Sequence, residues 1–230
     1  MTPNRVLLLL AALLLPVVAR AQEKYTIEPL KSGPPAALSG PIREALEDHG
    51  YQVLDGGGKP LAQIWLRKAV PASSQPGEPK ETVLYPFLGE GELLGAVEFK
   101  AEGHDYRDQA IASGVYTLRY GLQPVNGDHL GVSPYRDFAL LVPAAKDKAT
   151  APLPAKRLEE FSAEAAESSH PAVLMFLPAP SEGARDAASM ARDEAKNLWS
   201  AVLPLKLAVK GQGESVPFRV QLVVVGAAMM

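Results

Sequence analysis

His104 and His129 each stand among acids that could share chemistry with an imidazole. His104 is followed by Asp105 and Asp108, and His129 lies between Asp128 and Asp137. One imidazole with two carboxylates is a donor set for a mononuclear metal ion or an acid/base pair. Pooled, the two groups would complete such a site, but the run Val115 to Leu122 separates them. At ~3.3 Å per extended residue, that run holds its ends roughly 26 Å apart. His104 and His129 are therefore expected ~20 Å or more apart, whereas two histidines sharing one ion need their nitrogens within ~4 Å. Each group alone is a pattern that solvated turns also produce, so no metal ligand, cofactor or catalytic residue is assigned.

The segment Gln123 to Tyr135 carries Pro124, Asn126, Gly127, Gly131 and Pro134 between two strand-like runs. A connection of that length is often functional. Its polar residues Asn126, Asp128, His129 and Tyr135, with the following Asp137, are the candidate ligand-binding set, placed at one end of a sandwich where binding loops gather. A plain hydrogen-bonded connection is the alternative. Trp65 is a further candidate, because alternation along Leu61 to Lys68 sets Ile64 and Leu66 on one face and Gln63, Trp65 and Arg67 on the other. An exposed tryptophan there would be a stacking platform for a sugar; covered by the helix Ile42 to His49 or by the N-terminal arm, it would be core.

Familiar catalytic loops fail on spacing. Gly89-Glu90-Gly91-Glu92-Leu93-Leu94-Gly95 has the wrong glycine register for a dinucleotide, and its glutamates would repel a pyrophosphate. Gly56-Gly57-Gly58-Lys59-Pro60 lacks the hydroxyl residue of a phosphate loop and reads as a tight turn. Ser133 is followed by proline where an oxyanion-binding N–H would be needed. The absence of cysteine excludes thiol catalysis, disulfides and zinc–thiolate sites.

The elements that would position these residues are mostly strands. Tyr51–Leu54 and Leu61–Lys68 flank a glycine turn and form a hairpin. Alternating runs follow at 83–88, 94–100, 115–122 and 136–142; Tyr116, Leu118, Tyr120 and Leu122 share one face against Thr117 and Arg119, and Phe138, Leu140 and Val142 fall together. Residues 172–177 form a compact apolar strand, and 203–209 with 216–224 a terminal hairpin in which Pro204 and Pro217 mark edges or strand ends. Helices are expected over 42–49, capped by Ser39 and stopped by Gly50, over 156–168, and over 185–197. Residues 71–81 read as a loop. The predicted fold is mainly β: an antiparallel β-sandwich or open barrel with two or three short helices, with an α+β layout as the alternative.

Upstream of these elements, Arg5, the apolar run Val6 to Ala19 and the ending Ala19-Arg20-Ala21 fit a secretory signal peptide cut after Ala21. The run is shorter than the ~20 apolar residues of a membrane span. The expected organisation is a signal over 1–21, an extended proline-rich arm over 22–38 and a single strand-rich domain over 39–230. Cleavage removes two of 23 basic residues and none of 26 acidic ones, leaving a mature charge of −5. That disfavours nucleic acid and anionic membrane as partners. The localisation expected is periplasmic or extracellular, without stable membrane insertion.

The runs Gly114-Val115-Tyr116-Thr117-Leu118-Arg119-Tyr120, Asp137-Phe138-Ala139-Leu140-Leu141 and Val223-Val224-Val225-Gly226 resemble an uncharacterised family of secreted bacterial β-sandwich-like proteins, a domain of unknown function. The resemblance implies fold and compartment, and no functional residue. The function expected is an exported, non-catalytic module that binds a protein, an envelope component or a polymer. The alternative is a secreted enzyme, metal-dependent or not, with its site in the loops around His129 or His104.

Overall fold

The computed structural model describes residues 24–125, 133–181 and 186–227. Residues 26–30, inside the expected arm, form strand β1 (Thr26–Leu30), which pairs antiparallel with β2 (Gly50–Leu54) from Thr26↔Leu54 to Leu30↔Gly50. Between them lies α1 (Gly40–Ala45), shorter than its sequence pattern suggested. Pro41 occupies its first turn, but the Ser39 hydroxyl donates to the Lys148 carbonyl and not to the helix. Gly50 does not terminate this helix. It opens β2 because a Cβ there would lie 2.6 Å from the Ile64 carbonyl oxygen and 3.0 Å from the Trp65 ring.

The predicted first hairpin is present, β2 pairing with β3 (Pro60–Leu66) around the glycine turn. The chain then gives β4 (Val70–Ala72), part of a segment expected to be loop, and β5 (Leu93–Phe99). After a small hairpin, β6 (Gly103–His104) with β7 (Ala110–Ile111), come β8 (Gly114–Leu122) and β9 (Asp137–Pro143). Helix α2 (Ala155–Ala165) precedes β10 (Val173–Leu177), β11 (Ser189–Asp193), β12 (Leu198–Val209) and β13 (Val216–Val225). The helix expected over 185–197 is thus strand β11, held antiparallel on β12 from Ser189↔Val202 to Asp193↔Leu198.

All of these strands except β6 and β7, which pair only with each other, form one large sheet in the order β1-β2-β3-β5-β8-β9-β10-β13-β12-β11, with β4 on β12. It curls into a half-barrel, the open-barrel form of the predicted β architecture. Register shifts at Val53/Leu54, Leu93/Gly95 and Trp199/Ser200 contribute to the curl, because each bulge bends its strand and increases the local twist. The two ends of the sheet return to one another. β4 continues the course of β3 and pairs parallel with the far end of β12, Val70↔Leu207 to Ala72↔Val209. Near the other end of β12, Tyr25 meets Trp199 edge to face at 5.4 Å, and β1 lies beside β11.

Side chains fill the concave face. Ile64, Val97, Tyr116, Leu118, Tyr120, Leu141, Phe176, Leu205 and Leu222 form one continuous core there. Residues 83–88, predicted as a strand, fold into it instead: Leu84, Tyr85, Phe87 and Leu88 join the core, and the Tyr85 ring packs on Phe176 and Phe218 at 5.5 and 5.3 Å. The convex face is covered in patches. Helix α1, with Leu38, Ile42 and Leu46, lies over Trp65 and Ala96, and Leu158 of α2 lies with Phe138, Leu140, Val142 and Met175. The alternation read from β8 and β9 therefore holds, with both faces buried.

Candidate functional site

Among the described residues, those singled out by sequence do not converge. Asn126, Asp128 and His129 lie outside the described residues. Tyr135 is half-buried against the concave core, and its carbonyl accepts a bond from the Ser133 hydroxyl at 2.6 Å. Asp137 is a correction to the candidate binding set, because it is fully buried. Its carboxylate accepts hydrogen bonds from the N–H groups of Leu84 (2.8 Å) and Tyr85 (3.0 Å) and from the Tyr120 hydroxyl (2.6 Å). It thereby fixes the 83–88 segment on the concave face. Trp65 is likewise out of a ligand's reach, being 1% exposed under α1 with its indole N–H donating to the Ser32 carbonyl at 2.9 Å.

The first histidine group divides in the same way. His104 and Asp108 pair in the open, Nδ1 to Oδ1 at 2.9 Å. Asp105 turns inward and accepts from the backbone N–H groups of Arg107, Gln109 and Val173 and from the Gln109 side chain. Those bonds hold the β6–β7 hairpin against β10, so Asp105 acts as a structural acceptor.

A different group of polar residues does come together, where the ends of the sheet meet. β12 pairs with β11 over 198–202 and with β4 over 207–209, so residues 203–206 have no strand beside them on the side away from β13. Pro204 falls in that gap, where its missing N–H costs no ladder bond. Pro217 on β13 lies beyond the stretch paired with β10. The opening is a cleft of about 310 Å³, floored by the buried Leu66 and Leu205 and lined by Glu47, His49, Tyr51, Asp186, Lys206 and the two prolines. A second hollow of about 320 Å³ beside α2, lined largely by alanines with Glu164 and Glu167, is wider open.

One wall of the seam cleft comes from the chain leaving α1. Leu46 is extended (φ −90°, ψ 156°), and the segment is tied to β3 by Glu47 N–H to the Leu66 carbonyl and Lys68 N–H to the Ala45 carbonyl, both 2.9 Å. Extended chain sends alternate residues to the same side, which brings Glu47, His49 and Tyr51 to the cleft together. The rings of His49 and Tyr51 meet edge to face at 6.4 Å. From the opposite wall the Lys206 ammonium reaches the Glu47 carboxylate at 2.9 Å. Asp48 is exposed, with Oδ1 3.0 Å from His49 Nδ1, and that hydrogen bond holds its carboxyl below the usual range.

The electrostatics of the cleft are set by its acids. Burial first, then the charges of Glu47 and Asp186, raise the Tyr51 hydroxyl above the ordinary phenol range, so it is a protonated donor at neutral pH. Ligand atoms of Glu47, Asp48 and His49 all lie within 4.8 Å of one another, the donors nearest to a cation-holding group among the described residues. Chemically the cleft offers one phenol donor, an imidazole, an ammonium, two carboxylates and an apolar floor. Comparison of the chain with protein-family models, with curated proteins and with solved structures finds no match.

Proposed function

We propose that this chain is exported and acts as a non-catalytic binding module, taking a protein, an envelope component or a polymer on its outer surface. The observation that carries the reading is the seam cleft. The concave side, which in an open barrel would be the natural ligand cavity, is occupied by the aromatic core around Tyr85, Phe176 and Phe218. The buried polar groups are likewise engaged in holding loops to the sheet: Asp137 on 83–88, Asp105 on the β6–β7 hairpin, and Arg119 on 147–151. At the seam, by contrast, side chains of mixed charge and two aromatic rings line accessible space. Export rests on the pattern of residues 1–21, and β1 begins at Thr26, so a cut after Ala21 leaves the first strand whole.

The test is site-specific photo-crosslinking in the producing cell. A benzophenone side chain at position 49 should give a discrete adduct, whereas one at position 100, on the far β5 turn, should give none. An adduct at position 100 with none at position 49 would remove the cleft from consideration.

A further inference from the structure

The occupant of the seam can be narrowed by charge and by backbone chemistry, given the reading that the seam is the binding surface. We infer that the cleft takes a basic, extended segment of a partner protein and anchors it by one lysine or arginine side chain received between Tyr51 and Asp186.

Three observations converge on that class of ligand. The first is charge: Glu47 and Asp186 set two carboxylates against the single ammonium of Lys206, which is already paired with Glu47, so the Asp186 charge is left for a ligand. Glu47 and Asp186 line the cleft together with Tyr51, so both carboxylates act on the space beside that phenol. A cation entering there gains from both carboxylates, and the net charge of −5 after cleavage steers basic partners toward it. The second is shape. Pro204, Leu205 and Pro217 provide an apolar surface for a long aliphatic stem, and the His49 and Tyr51 rings offer faces for its cationic head.

The third is what the backbone withholds. An extended segment entering the gap beside residues 203–206 would ordinarily bind by adding a strand. Pro204 has no N–H to give to such a ladder. Recognition then falls to side chains, and the long cationic ones match the stem surface and the acids together.

The probe is a fluorescein-labelled peptide of alternating alanine and arginine, titrated into the full chain at low ionic strength by fluorescence anisotropy. Binding should weaken with added salt, and a peptide with citrulline in place of arginine should not bind. Asp186→Asn and Tyr51→Ala should each weaken binding by about tenfold or more, the usual cost of removing a charge-assisted partner. Glu28→Gln, the same charge change on exposed β1, should leave it unchanged, and circular dichroism verifies that all three variants fold. Equal losses in Glu28→Gln and Asp186→Asn would reduce the effect to general charge and overturn the inference. So would citrulline peptide binding as well as arginine peptide, or stoichiometric zinc uptake that is lost in His49→Ala and blocks the peptide. If the crosslink at position 49 forms but the arginine peptide shows no cleft-dependent binding, the cationic assignment falls and the binding reading stands. If neither appears, both fall.

Discussion

Arg119 is fully buried, and each of its five guanidinium hydrogens has an acceptor: both Asp147 oxygens and the carbonyls of Gly91, Ala149 and Ala151. Asp147 also accepts from the Thr117 hydroxyl at 2.5 Å. Removing one partner strands the other charge in the protein interior, so Arg119→Met should cost about 3–5 kcal/mol in urea unfolding. Arg119→Met combined with Asp147→Leu should recover much of that loss, since no unpaired charge is left. A double variant as unstable as the single one would show that the carbonyl contacts dominate. Asp137 gives a second prediction, on pH. Burial, outweighing three hydrogen bonds, holds its carboxyl above the usual carboxylate range. A raised folded-state value means that the contribution of Asp137 is greatest when protonated and is lost as pH climbs through that value. The stability advantage of the wild type over Asp137→Asn should therefore narrow as pH rises above the ordinary carboxylate range. A widening gap would mean that the ionised form is the stabilising one.

Among the elements, the close approach of the start of β2 to the end of β3 depends on Gly50. With backbone oxygen 2.6 Å from any added Cβ, Gly50→Ala must push the strands apart or shift Trp65. The expected loss is about 1–3 kcal/mol in thermal or urea unfolding, the range for overpacking a closed site. Gly33→Ala, whose nearest neighbour would be 3.6 Å away, should cost far less. The same element shows where sequence reading works. Strands with long alternation, such as β8, β9 and β13, are legible, because the pleat itself writes the pattern. β1, β4 and β11 are short, and β1 and β4 contain proline, so nothing in their local sequence separates them from loops. Residues 83–88 alternate like a strand, yet the N–H groups of Leu84 and Tyr85 are met by Asp137, more than 50 positions away, and those of Val83 and Leu88 by the nearby Lys80 and Tyr85 carbonyls. The alternation on β3 placed Trp65 correctly on the face opposite Ile64, but what covers that face is decided by how α1 docks. The cleft was illegible for a similar reason: Glu47, His49 and Tyr51 are near neighbours in sequence, but Asp186, Lys206 and Pro217 join them only when the sheet curls.

For the whole molecule, the export proposal has a direct readout. Protein recovered outside the cytoplasm should begin at Gln22 by N-terminal sequencing; an intact Met1 on exported protein would contradict it. The way the sheet ends are joined has a further consequence, in time. Ala72 pairs with Val209, residues 137 positions apart. A ribosome adding ~5–20 residues per second presents the second partner on the order of ten seconds after the first. In the later part of that interval β3, β5 and β8 have all been made but their common apolar face has no partner hairpin, and closure of such distant contacts is intrinsically slow. The nascent chain thus stays open and adhesive while it is made. That state is a hazard for a protein meant to fold where it is synthesised, and it keeps a chain that must first be threaded elsewhere in a form a holdase can grip.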